Sequence, residues 1–163
     1  IPSVSSENRR YVPIGYIQPE VIATNATQII PNATLYEFGV ITSNVHMAWM
    51  RIVAGRLKSD YRYSSTIVYN TFPWPTVTEE QKKFIANTAQ GILDARALYP
   101  DCSLADLYDE LTMPVELRKA HQANDIAVMK AYGMIKKVDG KDTFLTESET
   151  VARLFEMYEE ITK

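Results

Sequence analysis

Two prolines within four residues, Pro73 and Pro75, divide the 163-residue chain. Each proline ring removes a backbone donor and favours extended geometry in the residue before it, so neither a helix nor a central strand continues through this segment. The charge balance changes at the same place. Residues 1–75 carry six basic and four acidic side chains, whereas residues 76–163 carry 11 basic and 16 acidic ones. We therefore predict two structural parts, residues 1–75 and residues 76–163.

The second part contains the start and stop signals of several helices. Thr78, Ser103 and Thr146 are each followed three residues later by an acidic or amide side chain, which is the spacing of a capping box. Gly133 is placed to end the helix before it, and Asp139-Gly140 predicts a tight turn within a small hairpin. This part is therefore predicted to be mainly α-helical.

The first part differs in kind. Short strands are predicted for residues 11–17 and 21–30, which are rich in β-branched and aromatic side chains and are broken by prolines. Helical spacing over residues 35–54 is interrupted by Thr42-Ser43-Asn44, which either bends one helix or caps a second one. A returning strand is expected at residues 66–69. The predicted fold class is α+β, with a small strand-containing N-terminal part followed by a mainly α-helical C-terminal part.

Composition excludes several classes of protein. Hydrophobic residues make up 46% of the chain, which is too many for a disordered tail and enough for one core or two halves sharing one. The lone Cys102 cannot pair within the chain, and no apolar run approaches the ~20 residues that span a bilayer. Because the first residue is Ile1, we expect a piece of a longer chain or a processed chain.

The sequence offers no catalytic constellation. It has no glycine-rich phosphate loop and no His or Cys pair at metal-ligand spacing. His46 and His121 lie without a neighbouring partner group, so structural roles are expected for both. Cys102 follows Asp101, whose charge disfavours a thiolate. We predict no catalytic, cofactor-binding or metal-binding residue among these 163.

One basic segment stands out against this background. Four basic side chains lie within twelve residues, namely Arg51, Arg56, Lys58 and Arg62. Residues 56–65 are predicted to form a polar loop, and a basic loop after a helix end suits contact with nucleic-acid phosphates. The alternative is an ordinary solvated loop, in which the tyrosines pack inward and the arginines pair with Asp60 or Glu37.

Lys58 and Asp60 favour the nucleic-acid interpretation. They are two residues apart, so on an extended segment their side chains point the same way. A lysine can donate to guanine O6 and N7, and an aspartate can accept from the cytosine amino group of the same base pair. Phosphate would repel the carboxylate. Within a basic loop, Asp60 is therefore either a salt-bridge partner or a base-reading residue.

Several segments resemble the MmeI-like DNA methyltransferases, which are bacterial restriction–modification proteins. The end of that family's target-recognition domain is similar to residues 9–16 (RRYVPIGY), 29–36 (IIPNATLY), 42–50 (TSNVHMAWM), 55–64 (GRLKSDYRYS) and 69–75 (YNTFPWP). The family's C-terminal helical region is similar to residues 107–114 (LYDELTMP) and 119–122 (KAHQ). The block from residue 55 to residue 75 is the most specific.

The resemblance implies a parent enzyme that transfers a methyl group from S-adenosylmethionine to the exocyclic amine of adenine in a defined DNA sequence. Such enzymes are often fused to a nuclease and act in the bacterial cytoplasm. The family's cofactor-binding and Asn-Pro-Pro-Tyr motifs do not occur in this sequence, so the resemblance implies that they lie upstream of Ile1. The expected partners are double-stranded DNA and the methyltransferase domain of the same chain, with no membrane.

With DNA as the expected partner, we predict two roles within the basic segment, base reading and phosphate contact. Lys58 and Asp60 are predicted to read a G·C pair in the major groove, whereas Arg51, Arg56 and Arg62 are predicted to contact phosphates. Residues 1–75 would then be the C-terminal part of a target-recognition domain, and residues 76–163 a helical C-terminal domain. The alternative function is a non-catalytic helical protein–protein interaction module whose acidic, amphipathic faces dock another subunit.

Overall fold

The computed structural model describes all residues from Ile1 to Lys163. Six α-helices, five short strands and one π-helical turn make up the regular structure of the chain. The helices are α1 (Leu35–Ile41), α2 (Asn44–Val53), α3 (Glu79–Ala97), α4 (Leu104–Leu107), α5 (Val115–Ala131) and α6 (Glu147–Thr162). The strands are β1 (Val4–Ser5), β2 (Gly55–Leu57), β3 (Asp60–Arg62), β4 (Ile135–Val138) and β5 (Lys141–Phe144). The predicted α+β class is confirmed.

The predicted helix signals of the second part are confirmed. Thr78, Ser103 and Thr146 cap α3, α4 and α6, and in each case the side chain three residues later completes a capping box. Gly133 follows the end of α5 with a φ of 65°, a left-handed conformation that a residue without Cβ adopts at little cost. Asp139 and Gly140 form the turn between β4 and β5, with φ values of 51° and 78°.

The interruption within residues 35–54 separates two helices. The backbone of Ser43 is extended, and its side chain accepts a hydrogen bond from the His46 amide, so Ser43 is the N-cap of α2. Thr34 caps α1 and forms a capping box with Glu37. Of the two alternatives for Thr42-Ser43-Asn44, the second helix is therefore correct.

The strands predicted at residues 11–17 and 21–30 are wrong. Both segments are irregular, and the only ladder contact of the second is an isolated bridge between Thr27 and Pro2. Tyr11 and Val12 are nevertheless buried. Their side chains fill the core although the backbone has no neighbouring strand, because β propensity reflects burial against neighbours more than an intrinsic backbone preference.

Two further predictions are wrong in the segment that follows α2. The polar loop expected at residues 56–65 contains the antiparallel hairpin of β2 and β3. The strand expected at residues 66–69 is a π-helical turn, Ser65–Tyr69. Its backbone bonds close locally, the amide of Asn70 donating to the carbonyl of Ser65 at 2.8 Å.

A single hydrophobic core crosses the boundary between the two parts. Helix α1 packs on α3, α3 packs on α5, and α2 packs on α6. The core contains Phe38 and Trp49 from the first part together with Ile85, Leu117 and Leu154 from the second. The two halves therefore share one core. No helix is both long enough and apolar enough to cross a membrane.

Candidate nucleic-acid interface

The basic segment lies on a small three-stranded sheet. Strand β3 is central, with β1 and β2 antiparallel on either side in the order β1-β3-β2. Leu57 pairs with Asp60, so Lys58 and Ser59 alone connect β2 to β3. The predicted site residues Arg56, Lys58, Asp60 and Arg62 are therefore brought together on one eight-residue hairpin.

Two tyrosines attach this hairpin to the core. Tyr61 is buried on the inner face of β3, and Tyr63 is buried just beyond the strand. The Tyr63 hydroxyl lies 2.9 Å from Nε2 of the buried His46, which itself packs edge-on against the ring of Phe72. Because side chains alternate along a strand, anchoring Tyr61 directs Asp60 and Arg62 to the opposite, outer face.

The geometry assumed for Lys58 in the sequence analysis is wrong. Lys58 does not lie on an extended segment: it stands in the turn with a φ of 57°, in the left-handed region that lysine rarely adopts. Both Lys58 and Asp60 nevertheless lie at the turn end of the hairpin, Lys58 exposed and Asp60 half-buried. Their base-reading roles stay a prediction.

The charges of Lys58 and Asp60 are not neutralised by each other or by neighbours. Neither residue is in an ion pair within 4.0 Å, and neither side chain has a hydrogen-bond partner in the protein. Glu37, the other carboxylate considered for the arginines, accepts hydrogen bonds from Thr34 instead. The arginine pairs with Asp60 or Glu37 that the solvated-loop alternative predicted are not formed. Its inward-packed tyrosines are present, and Arg51 and Arg56 pair with Glu147 and Glu7 instead.

The three arginines differ in what surrounds them. Arg51 donates to the Glu147 carboxylate at 3.2 Å and to the carbonyl of Arg10 at 2.7 Å, so it joins α2 to α6 and to the N-terminal segment. Arg56 contacts groups of its own hairpin and Glu7. Arg62 is exposed and has neither an ion pair nor a side-chain hydrogen bond. Phosphate contacts by the three stay a prediction.

A buried polar cluster supports the segments behind the hairpin. Asp125 accepts from the Tyr11 hydroxyl at 2.6 Å and from the amide of Asn44, the first residue of α2, at 2.8 Å. Burial raises the pKa of Asp125 to about 6, against the opposing effect of these two donors. The cluster thus connects the N-terminal segment and α2 to α5.

Both histidines are held neutral by burial. Burial lowers the pKa of His46 and that of His121 to about 3. Nε2 of His121 lies 2.7 Å from the Tyr108 hydroxyl, and its ring stacks on Tyr11 at 4.1 Å between ring centroids. Each imidazole therefore has one hydroxyl partner within a packed aromatic environment, which is the structural role expected for both.

Sequence reasoning missed two residues of this region. Glu7 approaches Arg56 at 3.6 Å, but it is 49 positions away along the chain and no local pattern joins them. The second is Tyr61, whose ring packs against the Arg56 guanidinium. The sequence did contain a pattern for it, because Tyr61 and Tyr63 alternate with Asp60 and Arg62, which is strand periodicity. The signal was obscured because the turn residues Lys58-Ser59 lack the usual Asn-Gly chemistry.

A cavity lies elsewhere, among the irregular N-terminal segments. It has a volume of about 610 Å³, and no charged side chain lines it. Its walls include Pro13, Ile17, Val21, Phe38 and Leu104. No group of three or more His, Cys, Asp or Glu side chains is placed to hold a metal ion.

Comparison with known proteins gives matches over the whole chain. Residues 1–76 match the family model described as the MmeI target recognition domain, and residues 77–163 match the MmeI C-terminal domain. The chain is 40% identical over 163 residues to DNA methyltransferase A of Bacillus subtilis (strain 168), a match that covers 100% of the chain and 18% of that protein.

A solved structure is similar as well. It is that of the Type IIL restriction–modification enzyme MmeI in complex with DNA, which is 50% identical, with a TM-score of 0.91. The match covers 99% of this chain and 21% of that one, so the chain spans about a fifth of the length of both relatives. With both domain models and two relatives in agreement, the chain belongs to the MmeI family of restriction–modification DNA methyltransferases.

Proposed function

We propose that this chain is the DNA-recognition and scaffold portion of an S-adenosylmethionine-dependent, adenine-specific DNA methyltransferase of a restriction–modification system. The family membership and the two relatives support the methyltransferase assignment. The Type IIL relative was solved in complex with DNA, which supports double-stranded DNA as the partner. The enzyme would act on DNA in the bacterial cytoplasm, and the methyltransferase domain would belong to the same chain.

The proposal divides the work between the two parts of the chain. Residues 1–75 end a target-recognition domain, and residues 76–163 form a helical C-terminal domain that supports it. The shared core supports this assignment, because α1 and α2 of the first part pack on α3, α5 and α6 of the second. A nuclease fused in the same protein belongs to the proposal for the complete enzyme, and cleavage of unmethylated DNA by that enzyme tests it.

The methyl-transfer chemistry is not assigned to these residues. S-adenosylmethionine carries a ribose and a charged amino-acid group, which call for polar and charged partners in its site. The cavity among the N-terminal segments is lined without a charged side chain, and the sequence lacks a glycine-rich loop and an Asn-Pro-Pro-Tyr motif. The residues present do not fit the cofactor, so we assign no cofactor-binding or catalytic residue among them.

The observation that carries the recognition role is the pair of uncompensated charges at the hairpin turn. Lys58 and Asp60 are two residues apart at the turn of the anchored hairpin, and neither is in an ion pair or a side-chain hydrogen bond within the protein. Asp60 has no salt bridge within the protein, which supports a base-reading role for it. Reading a G·C pair gives both charges a partner, since lysine donates to guanine and aspartate accepts from cytosine.

Among the predicted phosphate contacts, Arg62 is the best placed. It is exposed on the same outer face as Asp60, and no carboxylate competes for its guanidinium. A phosphate contact fixes the register of the hairpin on DNA without carrying sequence information. Arg51 is also proposed to contact a phosphate, although its guanidinium already pairs with Glu147 through Nη1.

The experiment is to replace Lys58 and Asp60 together by alanine in the complete protein and to measure methylation across a library of DNA sites. We expect the preference for one base pair to be lost at a single position, with discrimination falling about 5- to 150-fold, corresponding to ~1–3 kcal/mol. Arg62→Ala serves as the contrast. It is expected to weaken binding equally for all sequences and to reduce the salt slope by about one phosphate contact.

Two results would count against the proposal. Uniform weakening in the Lys58/Asp60 double variant, with the recognition sequence intact, would remove the base-reading role. Binding of the complete protein to DNA with a flat dependence on salt would remove the phosphate contacts and favour the interaction-module alternative, because helix docking does not release condensed counterions.

A further inference from the structure

We propose that Arg56 is a positioning residue, which fixes the turn that presents Lys58 and Asp60, and that it is not one of the phosphate contacts. This inference rests on the proposed function, because it takes Lys58 and Asp60 as the base-reading pair. It departs from the role that the sequence suggested for Arg56. Three contacts of the Arg56 guanidinium carry the argument.

The first contact holds the turn itself. Nη1 of Arg56 donates to the carbonyl of Ser59 at 2.7 Å, within the same hairpin. Only Lys58 and Ser59 join the two strands, and Lys58 has a φ of 57°. A left-handed lysine needs support from its surroundings to persist. The bond from Arg56 supplies such support one residue away and fixes the direction of the Ser59 peptide that leads into Asp60.

The second contact connects the turn to the core. Arg56 lies directly opposite Tyr61 in the strand register, and the centre of its guanidinium is 3.9 Å from the Tyr61 ring centroid. A planar guanidinium over an aromatic face gains from both stacking and cation–π attraction. Tyr61 is only 8% exposed and follows Asp60 in the chain. The buried Tyr61 ring therefore restricts the position of the guanidinium, and the guanidinium in turn restricts the conformation of the turn through its bond to Ser59.

The third contact reduces the charge that Arg56 could offer to DNA. The Glu7 carboxylate lies 3.6 Å from Nη1, on the segment that follows β1. A phosphate at this guanidinium would have to displace or tolerate that carboxylate. Arg62 differs on each of these points, since its guanidinium pairs with no carboxylate, donates to no carbonyl and lies over no aromatic ring. The two arginines of one hairpin thus have different surroundings and separate roles.

The test compares two variants of Arg56 in the complete protein, by base preference across a DNA library and by the salt dependence of binding to the preferred site. For Arg56→Ala we expect the preference at the Lys58/Asp60 position to fall about 5-fold or more, with the slope of log K against log salt unchanged. A lost phosphate contact would instead lower that slope by about 0.9 and leave the preference intact. The second result would overturn the proposal.

Arg56→Lys is a milder substitution that distinguishes the positioning role from a phosphate contact even if Arg56→Ala impairs folding. Lysine keeps the charge and the aliphatic stem, but its ammonium cannot lie flat on Tyr61 while it also donates to Ser59. We expect a broadened preference with an unchanged salt slope. A lysine variant that keeps the full preference would overturn the positioning role, because only the charge would then matter.

Arg153→Ala is the matched control. Its side chain has the same exposure as that of Arg56, 45%, and it also pairs with one carboxylate, Glu156, but it lies on α6. It should change neither the preference nor the salt slope. The Lys58/Asp60 double variant separates the two hypotheses: if it keeps the preference, the base-reading proposal fails, whereas a loss there with none in Arg56→Lys defeats the positioning role alone.

Discussion

Asp125 is a buried carboxylic acid on α5, only 5% exposed. Two hydrogen-bond donors from the first half of the chain contact it. The hydroxyl of Tyr11 and the amide of Asn44 each bind one of its oxygens. Burial nevertheless dominates, and the pKa of Asp125 is raised to about 6. As pH rises through that value the carboxyl ionises, and it then depends most strongly on its donors.

Replacing Tyr11 by phenylalanine should therefore destabilise the chain in a pH-dependent way. At pH 8 the variant leaves an ionised, buried carboxylate with one donor fewer, and we expect a loss of about 1.5–3 kcal/mol in the free energy of unfolding. At pH 5 Asp125 is mostly neutral in the folded state, so the loss should shrink to about 1 kcal/mol. Urea unfolding at the two pH values measures both losses.

The matched control is Tyr16→Phe. The Tyr16 hydroxyl donates to the carbonyl of Thr34 at 2.8 Å, which does not titrate, so its loss should be the same at pH 5 and pH 8. His46 and His121 also make the free energy of unfolding depend on pH. Their contributions are the same in the variant and in the unmodified chain, so they cancel in the difference between the two free energies. Equal losses for Tyr11→Phe at both pH values would contradict the role assigned to Asp125.

At the scale of elements, local chemistry predicted helices well and strands poorly. A capping box is complete within four residues, so Thr78, Ser103 and Thr146 could be identified from the sequence alone. A strand needs a partner, and β3 pairs with β1 some 56 residues earlier in the chain. No local pattern specifies that pairing. The same limit applies to the candidate site: the sequence singled out its basic segment, but it did not predict the left-handed turn at Lys58.

Helix packing also depends on a glycine that no sequence pattern singled out. Gly39 lies in α1 where it crosses α3, and its carbonyl accepts from Nδ2 of Asn124 on α5 at 2.8 Å. A Cβ at this position would lie 2.7 Å from Cγ2 of Ile85 and 3.1 Å from Cβ of Ala89. The three helices approach as closely as they do because residue 39 has no side chain.

Gly39→Ala is therefore expected to destabilise the chain by about 1–3 kcal/mol, since forcing a methyl group into a filled contact costs more than the helix gains from alanine. Gly91→Ala provides the comparison within α3, where a Cβ would meet nothing within 4 Å. There we expect stabilisation by about 0.5–1 kcal/mol. Thermal unfolding followed by circular dichroism measures both, and a stabilising Gly39→Ala would show that α1 and α3 can separate freely.

At the scale of the whole molecule, the boundary at Pro73 and Pro75 separates charge and secondary structure but not the core. Trp49 of α2 packs against Phe155 and Tyr158 of α6, with ring centroids 5.0 and 5.9 Å away. The recognition hairpin begins two residues after α2 ends. Its position in the molecule is therefore fixed by helices of the second part, as the scaffold role proposed for that part requires.

A shared core predicts that the two parts unfold together. Both tryptophans, Trp49 and Trp74, lie in the first part, whereas most of the helical residues lie in the second. Tryptophan fluorescence therefore reports on the first part and, through Trp49, on its contact with α6, whereas far-ultraviolet circular dichroism reports mainly on residues 76–163. Because one core joins them, urea unfolding of the 163-residue chain should give coincident transitions by both probes. Leu117→Ala, at a fully buried position of α5, should shift both midpoints equally, and a shift confined to the dichroism signal would mean that the two parts do not unfold as one unit.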